Sequence, residues 1–216
     1  MISAIKLLQF PLAKLLVENG SDVNKGSPLT ATITTASTPV AEYMNLIKLL
    51  IRRGADVNTP GDWPSLSPLA HAIDTVNEKL VRLLIQSGAS AVRKWRKPDT
   101  SSKKAMRDEE YRTSLLFRAI KRGNERILKI LLENGAGCEI HTPNDSGDTT
   151  LLLAIQKNSL GMVRLLLEYG ADPATLKYGY NFLTELESLE DDYREKARVL
   201  LDSNLWLQKG VSVNIS

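Results

Sequence analysis

One cysteine, Cys138, and two histidines, His71 and His141, are all that 216 residues provide of the commonest soft metal ligands. A single thiol excludes an internal disulfide and fits a reducing compartment, so a cytoplasmic or nuclear location is the expectation. Cys138 and His141 lie three positions apart, but no further cysteine or histidine completes a four-ligand set, and no metal is expected. No apolar run approaches the ~20 residues of a membrane-spanning helix. The first ten residues, MISAIKLLQF, hold one lysine and no small-residue cleavage pattern, so neither leader nor membrane partner is expected. Phosphate-cradling glycine motifs and catalytic carboxylate pairs at identifiable spacing are missing too. The acids from Glu185 to Asp192 read as a solvated face. These absences lead to the expectation of a non-enzyme without cofactor.

Apolar residues make up 43% of the chain, enough for a sizeable core, and the net charge is +3. That charge is local. Residues 91–112 hold eight basic and four acidic side chains, a surplus of +4, and the remainder sums to −1.

Self-similarity organises the rest. Five segments share a leucine-rich stretch closed by glycine: AKLLVENGSDVN, IKLLIRRGADVN, VRLLIQSGAS, LKILLENGAG and VRLLLEYGADP. Their glycines, Gly20, Gly54, Gly88, Gly135 and Gly170, are 34, 34, 47 and 35 residues apart, and ARVLLDSN places Asn204 another 34 on. Sixteen residues before four of them stands Ala4-Ile5, Ala72-Ile73, Ala119-Ile120 or Ala154-Ile155. In the second segment the matching pair, Thr32-Ile33, is displaced by six, which implies a small insertion at about residues 36–41. Each unit is expected to be a short helix, a tight turn and a longer helix. The alanine permits close approach of the two helices, and the glycine ends the second in a left-handed conformation.

Ser67-Pro68-Leu69 opening a first helix and Gly54-Ala55-Asp56-Val57-Asn58 closing a second resemble the ankyrin repeat. The resemblance covers nearly the whole chain outside the long interval. It implies an all-α solenoid of about five repeats in a single domain, 1–216, with repeats ending near residues 24, 58, 90, 139 and 173. A C-terminal helical cap over 174–210, including Trp206, and a basic insertion over 91–112 complete the expectation. The family's threonine-proline-leucine-histidine opening is nowhere complete: Ser114-Leu115-Leu116 and Thr149-Thr150-Leu151 lose the proline, which puts the histidine's hydrogen bonds in doubt. The first repeat starts at its landmark alanine, as an atypical cap or within a longer array.

An ankyrin-like array implies a protein-interaction module that binds through its finger tips and concave groove. The groove residues it implies follow each landmark pair: Lys6-Leu7, Thr34-Thr35, Asp74-Thr75, Lys121-Arg122 and Gln156-Lys157. The later ones are basic, which points to an acidic protein or peptide segment at Lys121, Arg122 and Lys157, with Asp74 on the same row. Basic residues also oppose the dipole at a helix end, which is the plainer explanation of each pair alone. Trp63, between Gly61-Asp62 and Pro64, is expected on a finger tip as an anchor. Within the insertion, Arg93, Lys94, Trp95 and Arg96 combine charge with a stacking face, against the alternative of a solvated loop. Nucleic acid is not the expected partner, since the remaining charge is near neutral. A monomer is expected. The rivals are an enzyme with a pocket recruiting Trp63, Trp95, His71 or Asp74, and a structural spacer within a larger protein.

Overall fold

A computed structural model describes residues 1–35, 41–60, 66–92 and 113–172. Among these there is no strand. Five helix pairs follow one another: α1 (Ile2–Lys6) with α2 (Phe10–Glu18), α3 (Pro28–Thr35) with α4 (Ala41–Arg52), and α5 (Pro68–Asp74) with α6 (Glu78–Gln86). Then come α7 (Leu115–Lys121) with α8 (Glu125–Glu133), a 3-10 turn at Ala136–Glu139, and α9 (Thr150–Gln156) with α10 (Leu160–Glu168). The pairing and its register agree with the repeat read from the sequence. The inserted residues 36–40, Trp63, the segment 93–112 and the expected cap over 174–210 lie outside the described residues.

Local chemistry sets each boundary. Ser67, Ser114 and Thr149 cap the first helices, their hydroxyls accepting from the amides of Ala70, Phe117 and Leu152. Asn77 and Asn124 do the same for α6 and α8, through Leu80 and Ile127. Pro11 falls in the first turn of α2, where its missing N–H costs nothing. Every described second helix ends at a glycine with positive φ. At Gly54 and Gly88 the following amides, of Ala55 and Ala89, reach back to the carbonyls of Leu50 and Leu84.

The landmark alanines Ala4, Ala72, Ala119 and Ala154 are buried, as are Leu46, Ile47 and Leu50 of α4, Leu80 and Leu84 of α6, Ile127, Leu128 and Leu131 of α8, and Leu165 and Leu166 of α10. The alanine carbonyls accept from the amides of Gln9, Asn77, Asn124 and Ser159, which closes the turn between the paired helices.

The chain divides into two compact units, one within residues 1–111 and one within 112–216, so the division falls beside the basic insertion. In the first, α1, α3 and α5 pack in succession and α2 packs on α4. Asparagines tie its pairs together. Asn24 donates from Nδ2 to the Gly54 carbonyl at 3.1 Å and accepts from the Asp56 amide at 2.8 Å. Asn58 repeats this with Gly88 at 3.0 Å and Ser90 at 2.8 Å. The hydroxyl of Thr30, the residue after Ser27-Pro28-Leu29, donates to the Thr59 carbonyl at 3.2 Å, so threonine makes a finger contact here. In the second unit α7 packs on α9 and α8 on α10. There the hydroxyl of Thr150, which stands where the opening motif has proline, donates to the buried Ile140 carbonyl at 2.7 Å.

Candidate functional site

Three basic residues of the second unit occupy equivalent turns of successive helix pairs. Lys121 is the last residue of α7, Arg122 is its C-cap, and Lys157 is the C-cap of α9. All three are exposed. Because α7 lies against α9, the two turns are neighbours at the ~8–10 Å spacing of packed helices. Helix C-termini carry partial negative charge, so cations are favoured there, and that local preference helps explain their position. A repeat array then multiplies it, setting charges of one sign side by side on one edge.

Arg118, one helical turn before Lys121, is buried, and the sequence reading did not single it out. Its signal was available: spacing i, i+3 from Lys121, next to a landmark alanine that no solvent reaches. Asp74, the last residue of α5, is half-buried and belongs to the first unit, where Lys6, Thr34, Thr35 and Thr75 hold the equivalent positions. The first unit thus has no basic row there. Trp63, Arg93, Lys94, Trp95 and Arg96 lie outside the described residues.

A cleft of about 220 Å³ in the first unit is lined by Val23, Asn24, Ser27, Leu29, Thr30, Asp56 and Thr59. His71, Asp74 and His141 are not on it. The Asp56 carboxylate already accepts from the Asn58 amide at 2.8 Å and from the Thr59 hydroxyl, which ties it to the finger. Cys138 is exposed within the 3-10 turn, its thiol donating to the Gly135 carbonyl at 3.4 Å. Among the described residues no three histidine, cysteine, aspartate or glutamate side chains are grouped to hold a metal, and no helix is long and apolar enough to cross a membrane.

Residues 97–177 match a family model described as ankyrin repeats, three copies. A putative ankyrin repeat protein of fowlpox virus (strain NVSL) is 33% identical over 63 residues, which are 29% of this chain and 14% of that protein, so the match spans about a seventh of its length. Several solved ankyrin repeat domains superpose on the chain. One from Acinetobacter baumannii AYE has a TM-score of 0.68 at 23% identity, covering 93% of this chain and 95% of its own. The human ASB11 domain has 0.63 at 21%, covering 99% and 84%, and that of Bcl-3, a member of the IkappaB protein family, 0.62 at 22%, covering 94% and 85%. At these identities the solved structures establish the fold. Domains of this kind are in general protein-interaction modules without catalytic activity.

Proposed function

We propose that this chain, which has the ankyrin-repeat fold and carries ankyrin repeats over residues 97–177, binds an acidic segment of a protein partner at the basic turns of its second unit. The observation that carries this reading is the recurrence of exposed cations at one repeat position: Lys121 and Arg122 on one turn, Lys157 on the next. An extended acidic segment laid across successive turns meets a cation on each, at a spacing of about 10 Å, or three residues of extended chain. Attraction between such partly solvated charges raises the association rate and selects the sign of the partner more than it raises affinity. Arg93, Lys94, Trp95 and Arg96 of the insertion, and Trp63, all outside the described residues, are proposed as further contacts of the same partner. Asp74, opposite in sign and part of the first unit, is proposed as a partner contact of that unit by itself. The working location is the cytoplasm or nucleus, where Cys138 stays reduced.

The test is a fluorescence titration of the full chain with a glutamate-rich peptide, comparing wild type with the triple charge reversal Lys121→Glu, Arg122→Glu, Lys157→Glu. The expected result is about tenfold or greater weakening at low ionic strength, with a smaller difference at high salt and an unchanged far-ultraviolet spectrum. Equal affinity of the two proteins would remove these residues from the site.

A further inference from the structure

The cleft of about 220 Å³ in the first unit is lined by two successive fingers, Val23, Asn24 and Ser27 on one and Asp56 and Thr59 on the other, with Leu29 and Thr30 at the start of α3. That volume is far more than a single water needs, at ~30 Å³ in the liquid. It falls short of the ~300–1,000 Å³ of sites that enclose a cofactor or a drug-sized ligand. Its size fits one long side chain.

The hydroxyls of the cleft have already placed their protons. Ser27 donates to the Pro60 carbonyl at 3.1 Å, Thr30 to the Thr59 carbonyl at 3.2 Å, and Thr59 to the Asp56 carboxylate. Each of these hydroxyl oxygens is left with lone pairs only. The Asp56 carboxylate also accepts from the Asn58 amide at 2.8 Å. Both of these donors are neutral, so the bonds hold the negative charge in place without cancelling it. Apart from the second N–H of Asn24, the polar side chains of the cleft therefore offer acceptors and no donors. Val23 and Leu29, both buried, supply its apolar lining.

The next interval between fingers is built without this chemistry. Val57, Asn58, Ser67 and Leu69 stand at the offsets of Val23, Asn24, Ser27 and Leu29, but Ala70 stands for Thr30 and Ser90 for Asp56. Asn58 ties the fingers there through the Ser90 amide at 2.8 Å, as Asn24 does through the Asp56 amide at 2.8 Å. The tie needs a backbone N–H and no carboxylate. Asp56 also closes a local turn, as Asp22 does, but an acid beside two threonines is what the first interval adds.

We infer that this cleft is a subsite for an arginine side chain of a protein partner. A guanidinium brings five N–H donors in one plane and no acceptor, the complement of a wall of lone pairs beside a negative charge. Its aliphatic stem lies along Val23 and Leu29 while its head stays partly in water, since Asp56 and Thr59 are exposed. A solvated ion pair of this kind adds little affinity by itself, so the cleft selects which residue a partner presents to the first unit. The cleft and the basic turns belong to different units and differ in sign, so each site stands or falls alone.

The experiment is a heteronuclear NMR titration of the isotope-labelled full chain with N-acetyl-arginine N-methylamide, read at the amides of Thr30, Asp56 and Thr59. The citrulline counterpart, of the same length but uncharged, is the control. Saturable shifts at these amides with a dissociation constant of about 1–10 mM are expected for the arginine compound, and none for citrulline. Asp56→Asn keeps an oxygen for the Asn58 amide and removes the charge; it should weaken binding about fivefold or more, with an unchanged helical spectrum. Thr30→Ala, which installs the residue of the next pair, guards against a folding effect of the first variant and should weaken binding about twofold or more. Absence of saturable shifts at these amides, equal shifts from citrulline, or undiminished affinity in the Asp56→Asn protein would each overturn the inference.

Discussion

Exchanging the residues at the turn between paired helices tests the register of the repeat and the energetics of its backbone together. Val76, Gly123 and Asn158 each stand four residues after a landmark alanine, and each has positive φ, at 54°, 70° and 57°. For an L-residue with a Cβ this region costs roughly 1–2 kcal/mol, toward the upper end for β-branched valine, whereas asparagine tolerates it. Val76 is 43% exposed, so replacing it by asparagine forfeits at most about 1 kcal/mol of apolar burial. The balance predicts that Val76→Asn stabilises the first unit by about 0.5–1 kcal/mol. The reverse exchange, Gly123→Val, meets no atom within 4 Å of the new Cβ, so its penalty is conformational rather than steric. It should destabilise the second unit by about 1–2 kcal/mol, reduced somewhat by the entropy that glycine has in the unfolded chain. Urea unfolding followed by helical ellipticity measures both, as midpoint shifts of opposite sign at constant m. Hydrogen exchange of the Asn77 and Asn124 amides, which bond the alanine carbonyls across these turns, localises each effect. A destabilised Val76→Asn protein together with an unaffected Gly123→Val protein would refute the argument.

The asparagine ties are the second target: Asn58→Ala removes bonds of 3.0 and 2.8 Å between successive pairs and should cost about 1–2 kcal/mol, read as faster exchange of the Ser90 amide. Burial pushes the phenol of Tyr43 up to about 12 from 10.0, so the folded state retains its proton longer than the unfolded chain. Its contribution to stability is complete below pH 10 and is lost as the pH rises through about 12. A near-ultraviolet phenolate titration compared with Tyr43→Phe should show one late-titrating tyrosine, and the alkaline loss of stability should be shallower in the variant.

Spacing in the sequence was enough to identify the helix pairs, because glycine and alanine recur for backbone reasons. Gly54, Gly88, Gly135 and Gly170 close helices in a conformation other residues resist, and Ala72, Ala119 and Ala154 are buried where two helices meet. Such demands repeat with the period of the fold and so surface as pattern. The positions of Lys121, Arg122 and Lys157 were readable for the same reason, since a fixed offset from the alanine puts each at a helix end. What escaped sequence reading depends on neighbours in space. Asn24 and Asn58 recur four residues after their glycines, but the same offset holds Val92 and Glu139 later, and only the geometry shows that the asparagines bridge consecutive pairs.

Leu12 illustrates the same limit from the opposite side. Its place in the repeat is that of a core residue, and periodicity assigns it to the core along with Leu46, Leu80, Ile127 and Met162. Periodicity reports what a position requires when it has a neighbour on both sides. Whether the neighbour is present is a property of the assembled array, and at the first pair Leu12 stands 44% exposed beside Leu15 at 55%. An apolar side chain carries the same driving force toward burial whichever molecule supplies the covering surface.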